Sequence, residues 1–541
     1  MQFLRYFPLL IALAFCASSC SDDAVVADAE SQVGGKYLEL RITTPRESRS
    51  NPTGGEDGDG REEGIRHENA INNLMLFIYT CEDGINGDND TAIKDKYYVA
   101  DAATALTPDP MLANTYSMKI DMSTVHVSKG DNVIAIANAG DLSSLTTLGE
   151  VRDHLVTNAW KPAASGNIAD CTDFVMSNEN GGKIIKAADG LTTSVGIERV
   201  AARIDFWYIN DKNYDTTNDE LVYDVAYNAY GTTEKDKETV AKAYIQNIAP
   251  INFMQEPTYM IKRVTEGPEL NSPLIYCGEE ATRAGTDIPD NYVIEPHTAL
   301  KTDAPSEDLL TQWYGATRAT ASADFFADSK SKVGYWHANG DPQTFTASGF
   351  DHDTYMTLAY VNENTQSLSH MNNHYITGLM LRAVYEPLTV YKDYHYADNG
   401  DGTFTEEITT DPDYAKGTTF YRYVPKFDDT PIEGKCLYFS NKTAAMAYKN
   451  AHPTENGTVY EYPDAVCYYH IWLRHANDIN SKPHKLCPME FGIVRNNIYR
   501  VGIRIISAPG SVDPSVEDPY PILFRIYVND WNFRPQETIK F

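Results

Sequence analysis

A set of short apolar runs closed off by turn residues constrains the fold most. Leu74-Met75-Leu76-Phe77-Ile78-Tyr79 lies between Asn73 and Thr80, and Val133-Ile134-Ala135-Ile136-Ala137 lies between Asn132 and Asn138. Runs this short, bounded this way, predict strands buried on both faces rather than helices. Around them the apolar residues alternate. Leu38, Leu40 and Ile42 share one face of a strand over Lys36–Thr43, and Tyr97–Val99, Tyr116–Ile120, Tyr375–Tyr385, Ile498–Ile505 and Tyr520–Val528 are further strand segments. Helical spacing is confined to Leu145, Leu148, Arg152 and Leu155, and to Thr443–Ala451, with Ser440 or Asn441 as cap and Pro453 as stop. The expected fold is mainly β, with β-sandwich domains and a few short helices. The strand pattern breaks near Asp189-Gly190 and restarts at Val195–Phe206, so a domain boundary is expected at about residue 190.

The N-terminal end predicts export. Arg5, an apolar run from Phe7 to Phe15, and Ala17-Ser18-Ser19-Cys20 form a secretory signal with small residues before a cysteine. That pattern predicts lipidation at Cys20, and the acidic Ser21-Asp22-Asp23 beyond it is similar to a surface-export signal. No other stretch approaches the roughly twenty apolar residues of a membrane span, so lipid is the expected attachment. After the first strand, Pro45–Pro52 and Gly54–Gly60 cannot pack a core and predict a long exposed loop carrying Arg46, Arg49 and Arg61 within protease reach.

The balance of 45 basic against 76 acidic residues, net −31, argues against nucleic acid and anionic lipid as partners. Beyond Cys16 and Cys20, six scattered cysteines allow up to three disulfides, with free buried thiols as the alternative, and none has CxxC spacing. His370 and His374 lack the glutamate of a metalloprotease helix. Asp398–Glu407 fails the calcium-loop register, because Ala397 and Ile408 fall where ligands are required, and a hairpin turn is expected there; Asp83–Asp90 is a polar loop. No nucleophile elbow or nucleotide fingerprint is present. The expectation is therefore no enzyme, no catalytic residues, no cofactor and no metal.

The order of signal, lone strand, arginine-bearing loop and two β-domains resembles the type V pilins, the fimbrillins of Gram-negative anaerobes, and most of all the shaft subunit of their minor fimbriae. The resemblance rests on Leu74–Tyr79, on Ile197-Glu198-Arg199-Val200-Ala201-Ala202-Arg203-Ile204, and on Val494-Arg495-Asn496-Asn497-Ile498-Tyr499-Arg500-Val501. It implies two transthyretin-like antiparallel β-sandwich domains and the division 1–19 signal peptide, 20–49 lipidated propeptide, 50–190 N-terminal domain and 191–541 C-terminal domain. An Arg-specific cysteine protease of gingipain type would cut between Arg49 and Ser50, with Arg46 as the alternative site. Removal of the strand bearing Leu38, Leu40 and Ile42 would then open a groove. The implied donor is the C-terminal region of another copy, through Ile522, Leu523, Phe524, Ile526 and Val528, with Ile539 and Phe541 at the end. Burying about five such side chains yields on the order of 10 kcal/mol before ordering costs. The same segment could instead pair within its own domain. The resemblance also implies anchor and tip accessory subunits, contact with host or other bacterial surface proteins, a role in adhesion and biofilm formation, and an outer-membrane precursor. The competing expectation is a monomeric surface lipoprotein binding glycan or host protein, with Trp313 or Trp336 as the aromatic contact.

Overall fold

A computed structural model describes residues 37–44, 66–81, 87–112, 114–162, 171–178, 182–188, 190–208, 214–215, 220–226, 239–254, 257–264, 293–297, 344–345, 353–365, 375–427, 430–431, 436–475, 491–512 and 522–530. The architecture is mainly β. In the first part of the chain the strands are β1 (Tyr37–Thr43), β2 (Leu74–Tyr79), β3 (Ile93–Val99), β4 (Thr107–Pro108), β5 (Thr115–Asp121), β6 (Asn132–Ala137), β7 (Met176–Ser177), β8 (Gly182–Lys183), β9 (Ile185–Ala187), β10 (Gly190–Gly196) and β11 (Glu198–Arg199). They form two sheets, ordered β9-β10-β1-β5-β4 and β11-β7-β6-β2-β3, with β8 also on β6. β10 and β11, although C-terminal to residue 190, pair with these N-terminal sheets.

The two sheets make a sandwich because their inner faces share one core. Leu38, Leu40, Ile42, Met118, Ile120 and Val195 come from the first sheet, and Leu74, Leu76, Ile78, Val133 and Ala135 from the second. The intervening residues of β2 and β6, Met75, Phe77, Tyr79, Ile134 and Ile136, are buried in a second cluster on the opposite face. That cluster includes Val200, Ala201, Met260, Tyr360 and Ile498, so the second sheet is sandwiched in turn against the following part of the chain. Double burial is the physical reason these two strands carry unbroken apolar runs.

The later strands are β12 (Ala202–Tyr208), β13 (Glu220–Ala226), β14 (Thr239–Ile251), β15 (Asp353–Val361), β16 (Gly378–Pro387), β17 (Tyr391–Asp398), β18 (Phe404–Thr410), β19 (Phe420–Val424), β20 (Leu437–Phe439), β21 (Thr458–Tyr462), β22 (Val466–Trp472), β23 (Asn497–Ile506) and β24 (Ile522–Asp530). A ten-stranded sheet runs Thr344–Phe345, β15, β12, β23, β13, β14, β16, β22, with Tyr214–Asp215 on β13 and β24 on β23. Ile204, Val225, Ala243, Leu358, Leu381, Tyr469 and Val501 come from seven of its strands yet pack in one core, so the sheet curls onto itself. Strands β17 to β21 form a separate five-stranded sheet ordered β18-β17-β20-β19-β21. It joins the larger core through Phe420 and Tyr462, whose rings stack at 4.7 Å. Most ladders are antiparallel, as expected, but β1–β10 and β12–β23 are parallel.

Among the described residues three short α-helices decorate the sheets: α1 (Ala102–Ala105), α2 (Leu148–Asp153) and α3 (Lys442–Ala451). Thr147 and Glu150 close a capping box on α2, and the Asn441 side chain accepts from Ala444 N at the start of α3. The Asp398–Glu407 segment forms the expected hairpin, turning between β17 and β18 through Gly400 and Gly402 at φ +77° and +83°.

Candidate assembly site

β1 occupies the middle of its sheet, parallel to β10 from Tyr37↔Gly190 to Thr43↔Gly196 and antiparallel to β5 from Tyr37↔Asp121 to Thr43↔Thr115. Leu38, Leu40 and Ile42 are fully buried, as their alternation predicts, while Glu39 and Arg41 face outward and form an ion pair at 3.5 Å. Side-chain bonds add to the ladders: Thr192 Oγ1 donates to Glu39 O at 3.1 Å, and Thr44 Oγ1 donates to Asn114 O at 3.2 Å. At the N-terminal end of the slot, Gly190 has φ +150° and a Cβ there would lie 2.2 Å from Tyr37 O. Only glycine lets β10 come this close to β1.

Among the described residues no tight turn connects β1 to either neighbour, and the next strand, β2, belongs to the other sheet. Departure of β1 would remove three buried side chains worth roughly 1.5 to 3 kcal/mol each and leave facing edges of β5 and β10 unpaired over an apolar floor. Such a slot accepts an extended segment with apolar residues at alternate positions.

At the other end of the chain, β24 pairs antiparallel with β23 from Asn497↔Asp530 to Ile506↔Ile522. Candidate donor residues thus have partners at home: Ile522 opposite Ile506, Leu523 opposite Ile505, Phe524 opposite Ile503, Ile526 opposite Val501 and Val528 opposite Tyr499. A bulge lies at Ile503–Ile505 of β23. Cys20, Arg46, Arg49, Ser50, Ile539 and Phe541 lie outside the described residues, as do His370, His374, Trp313 and Trp336.

Between slot and C-terminal strands sits a buried charge cluster whose pairing sequence patterning did not reveal. Arg203 of β12 donates two bonds to Asp205, at 2.9 and 2.8 Å, and reaches both oxygens of Glu68 at 3.1 and 3.2 Å. Tyr360 of β15 also donates to Glu68. Arg199 donates to Glu68 O at 3.0 Å, to the Asn69 side chain, and to Asn496 Oδ1 at 3.4 Å. Asn496 N donates to Ala201 O at 2.8 Å. Beside it, Arg495 bonds Glu363 at 2.7 Å and the carbonyls of Met260 and Tyr259 at 3.1 and 2.6 Å. Burial pulls Arg199 down to about 10 despite the Glu68 charge, and burial with Glu68 beside it pushes Tyr360 well above the usual phenol range.

This geometry places two of the sequence segments together. Glu198–Arg199 and Ala202–Ile204 meet Arg495–Ile498, with Arg203 opposite Ile498 in the β12–β23 ladder. Leu74–Tyr79 supplies Met75, Phe77 and Tyr79 to the adjoining apolar cluster. The shared signal was a set of arginines and asparagines inside otherwise apolar strands. Residues 460–537, from the end of β21 through β22, β23 and β24, match the family model described as major fimbrial subunit protein type IV, fimbrillin, C-terminal.

Over this stretch the chain is similar to the fimbrillins.

The matched stretch agrees with the resemblance drawn from the sequence, and it contains both β24 and its partner β23. A comparison with curated proteins gives no match. Among solved structures the chain is similar to a fimbrilin, FimA, from Porphyromonas gingivalis W83, with 11% identity, TM-score 0.34, and coverage of 92% of this chain and 97% of that one. The tip fimbrial protein Mfa3 from Porphyromonas gingivalis, with a C-terminal truncation, is similar at 9% identity and TM-score 0.33, covering 92% and 99%. A fimbrial assembly protein from Parabacteroides distasonis is similar at 10% and 0.28, covering 70% and 99%. At such TM-scores the fold rests on the pairing described above.

Proposed function

We propose that the chain is the precursor of a structural fimbrial subunit of the minor-fimbria kind, not an enzyme. It is exported with a lipid on Cys20, held at the outer membrane, and cut between Arg49 and Ser50. Loss of β1 then opens the slot between β5 and β10, and the C-terminal strand of another copy fills it. The observation that carries this reading is the position of β1: central, fully buried on its inner face, and, among the described residues, joined to no neighbour by a hairpin. The pattern Ile522, Phe524, Ile526, Val528 supplies the alternate apolar residues that Leu38, Leu40 and Ile42 supply at home. Slot and donor segment belong to different sheets of one subunit, so the contact is heterologous and grows a filament rather than a closed ring. The sandwich from Ser50 onward and the unit built on the ten-stranded sheet act as successive domains, with β10 and β11 belonging to the first. Copies of the chain, anchor and tip subunits, and the Arg-specific protease are its partners at the cell surface, where adhesion to host or bacterial proteins and biofilm formation follow.

Treatment of the purified precursor with an Arg-specific protease, followed by N-terminal sequencing and electron microscopy, tests the reading. Ser50 at the new N terminus with filaments is the expected result, and truncation from Tyr520 is expected to abolish the filaments. A clipped chain that stays monomeric, or filaments indifferent to the truncation, would sink it.

A further inference from the structure

Beyond the end of α3, the five-stranded sheet has an apolar face that is exposed among the described residues. Tyr394 of β17 lies beneath Tyr448 and His452, with ring centroids 5.0 and 6.1 Å away. α3 ends at Ala451. Two positions farther along β17, Tyr396 is 49% exposed and stacks on Phe404 of β18, itself 54% exposed, with centroids 5.0 Å apart and planes at 14°. Ile408, opposite Tyr394 in the ladder, is exposed on the same face. β18 is terminal in its sheet, and among the described residues no strand pairs with its outer edge. The stacked rings hold each other in place, so ordering them on binding costs little.

Charge decides the occupant. Alternation puts Asp398 and Glu406 on the ring face, where Glu406 also pairs with His452 Nε2 at 3.2 Å, while Asp401 lies in the turn and Asp393 and Glu407 belong to the other face; Lys392 is the fixed cation of residues 391–410. A second copy docking hairpin to hairpin would set these carboxylates against their own counterparts. Carboxylates beside exposed aromatic faces suit guanidinium groups, which pair with the former and stack on the latter.

We propose that the β17–β18 hairpin is a docking surface for an arginine-bearing extended segment of a different protein, which adds to the edge of β18 and lays its guanidinium groups on the Tyr396–Phe404 pair. This surface lies on a different sheet from the β1 slot and does not depend on strand donation.

The test uses the full chain and a labelled peptide alternating arginine and threonine, read by fluorescence anisotropy at low and raised salt. Saturable binding that weakens with salt is expected. The double variant Tyr396→Ser with Phe404→Ser is expected to lose affinity on the order of tenfold. Asp398→Asn with Glu406→Gln, which keeps both rings, is expected to weaken binding and flatten its salt dependence. Equal binding by all three proteins would overturn the proposal. So would equal affinity for a lysine counterpart, which would reduce the effect to bulk charge. Self-association lost on replacing the rings, or capture of neutral oligosaccharides in place of the peptide, would also overturn it by assigning the rings to another occupant.

Discussion

Glu68 is the residue on which most of the buried charge converges, accepting from Arg203 and Tyr360 through its carboxylate and from Arg199 through its carbonyl. Substituting Glu68→Ala removes one of the two carboxylates that the fully buried Arg203 bonds. Breaking a buried pair from one side costs about 3 to 5 kcal/mol, so a drop of that size in urea-unfolding stability is expected. His475 gives a second prediction. It is buried against Tyr499 Oη at 3.0 Å, and burial depresses its pKa from 6.5 to about 3. Below 6.5 the unfolded chain takes up a proton that the folded chain refuses, so this stability is present above that pH and is lost toward 3. The slope approaches about 1.4 kcal/mol per pH unit. His475→Gln should flatten the pH dependence of the unfolding midpoint across that window. Cys467 is a buried free thiol pushed up to about 11 by burial, so the upper limit of three disulfides is not reached. Gly190→Ala should loosen β1, through both the positive φ and the Tyr37 carbonyl, and cost more than about 1 kcal/mol. Faster amide exchange in residues 37–43 would register it.

Among the elements, strands with a regular period were legible and those with a broken one were not. β1, β2, β6 and the helix α3 follow from alternation, apolar runs and caps. β14, the long strand Thr239–Ile251, went unrecognised because its inward series Ala241, Ala243, Ile245 slips at a bulge between Ile245 and Asn247 and resumes at Ile248. A one-residue shift moves every later side chain to the other face, which erases the period. β1 also separates two states of the protein. Leu40→Ala should destabilise the precursor by about 2 to 5 kcal/mol. Under strand donation it should leave the melting of assembled, clipped filaments unchanged, because β1 is gone from them. Calorimetry on both forms checks this, and an equal shift in the filaments would show that β1 is retained.

Over the whole molecule, the sandwich and the ten-stranded sheet share an apolar cluster and a charged one. Arg495→Met removes the bonds to Glu363, Met260 and Tyr259 together. It should cost several kcal/mol and make the chain sensitive to limited proteolysis near residues 200 and 260. The amino-acid sequence by itself determined the β class, the net acidic charge and which strands are buried on both faces, because period and composition are local properties. Only tertiary structure decided that β1 lies between a parallel and an antiparallel neighbour, that β24 pairs with β23 in its own chain, and that Glu68 meets Arg199 and Arg203. Those are contacts between residues far apart in sequence, and no local periodicity encodes which distant strand or charge will stand beside another.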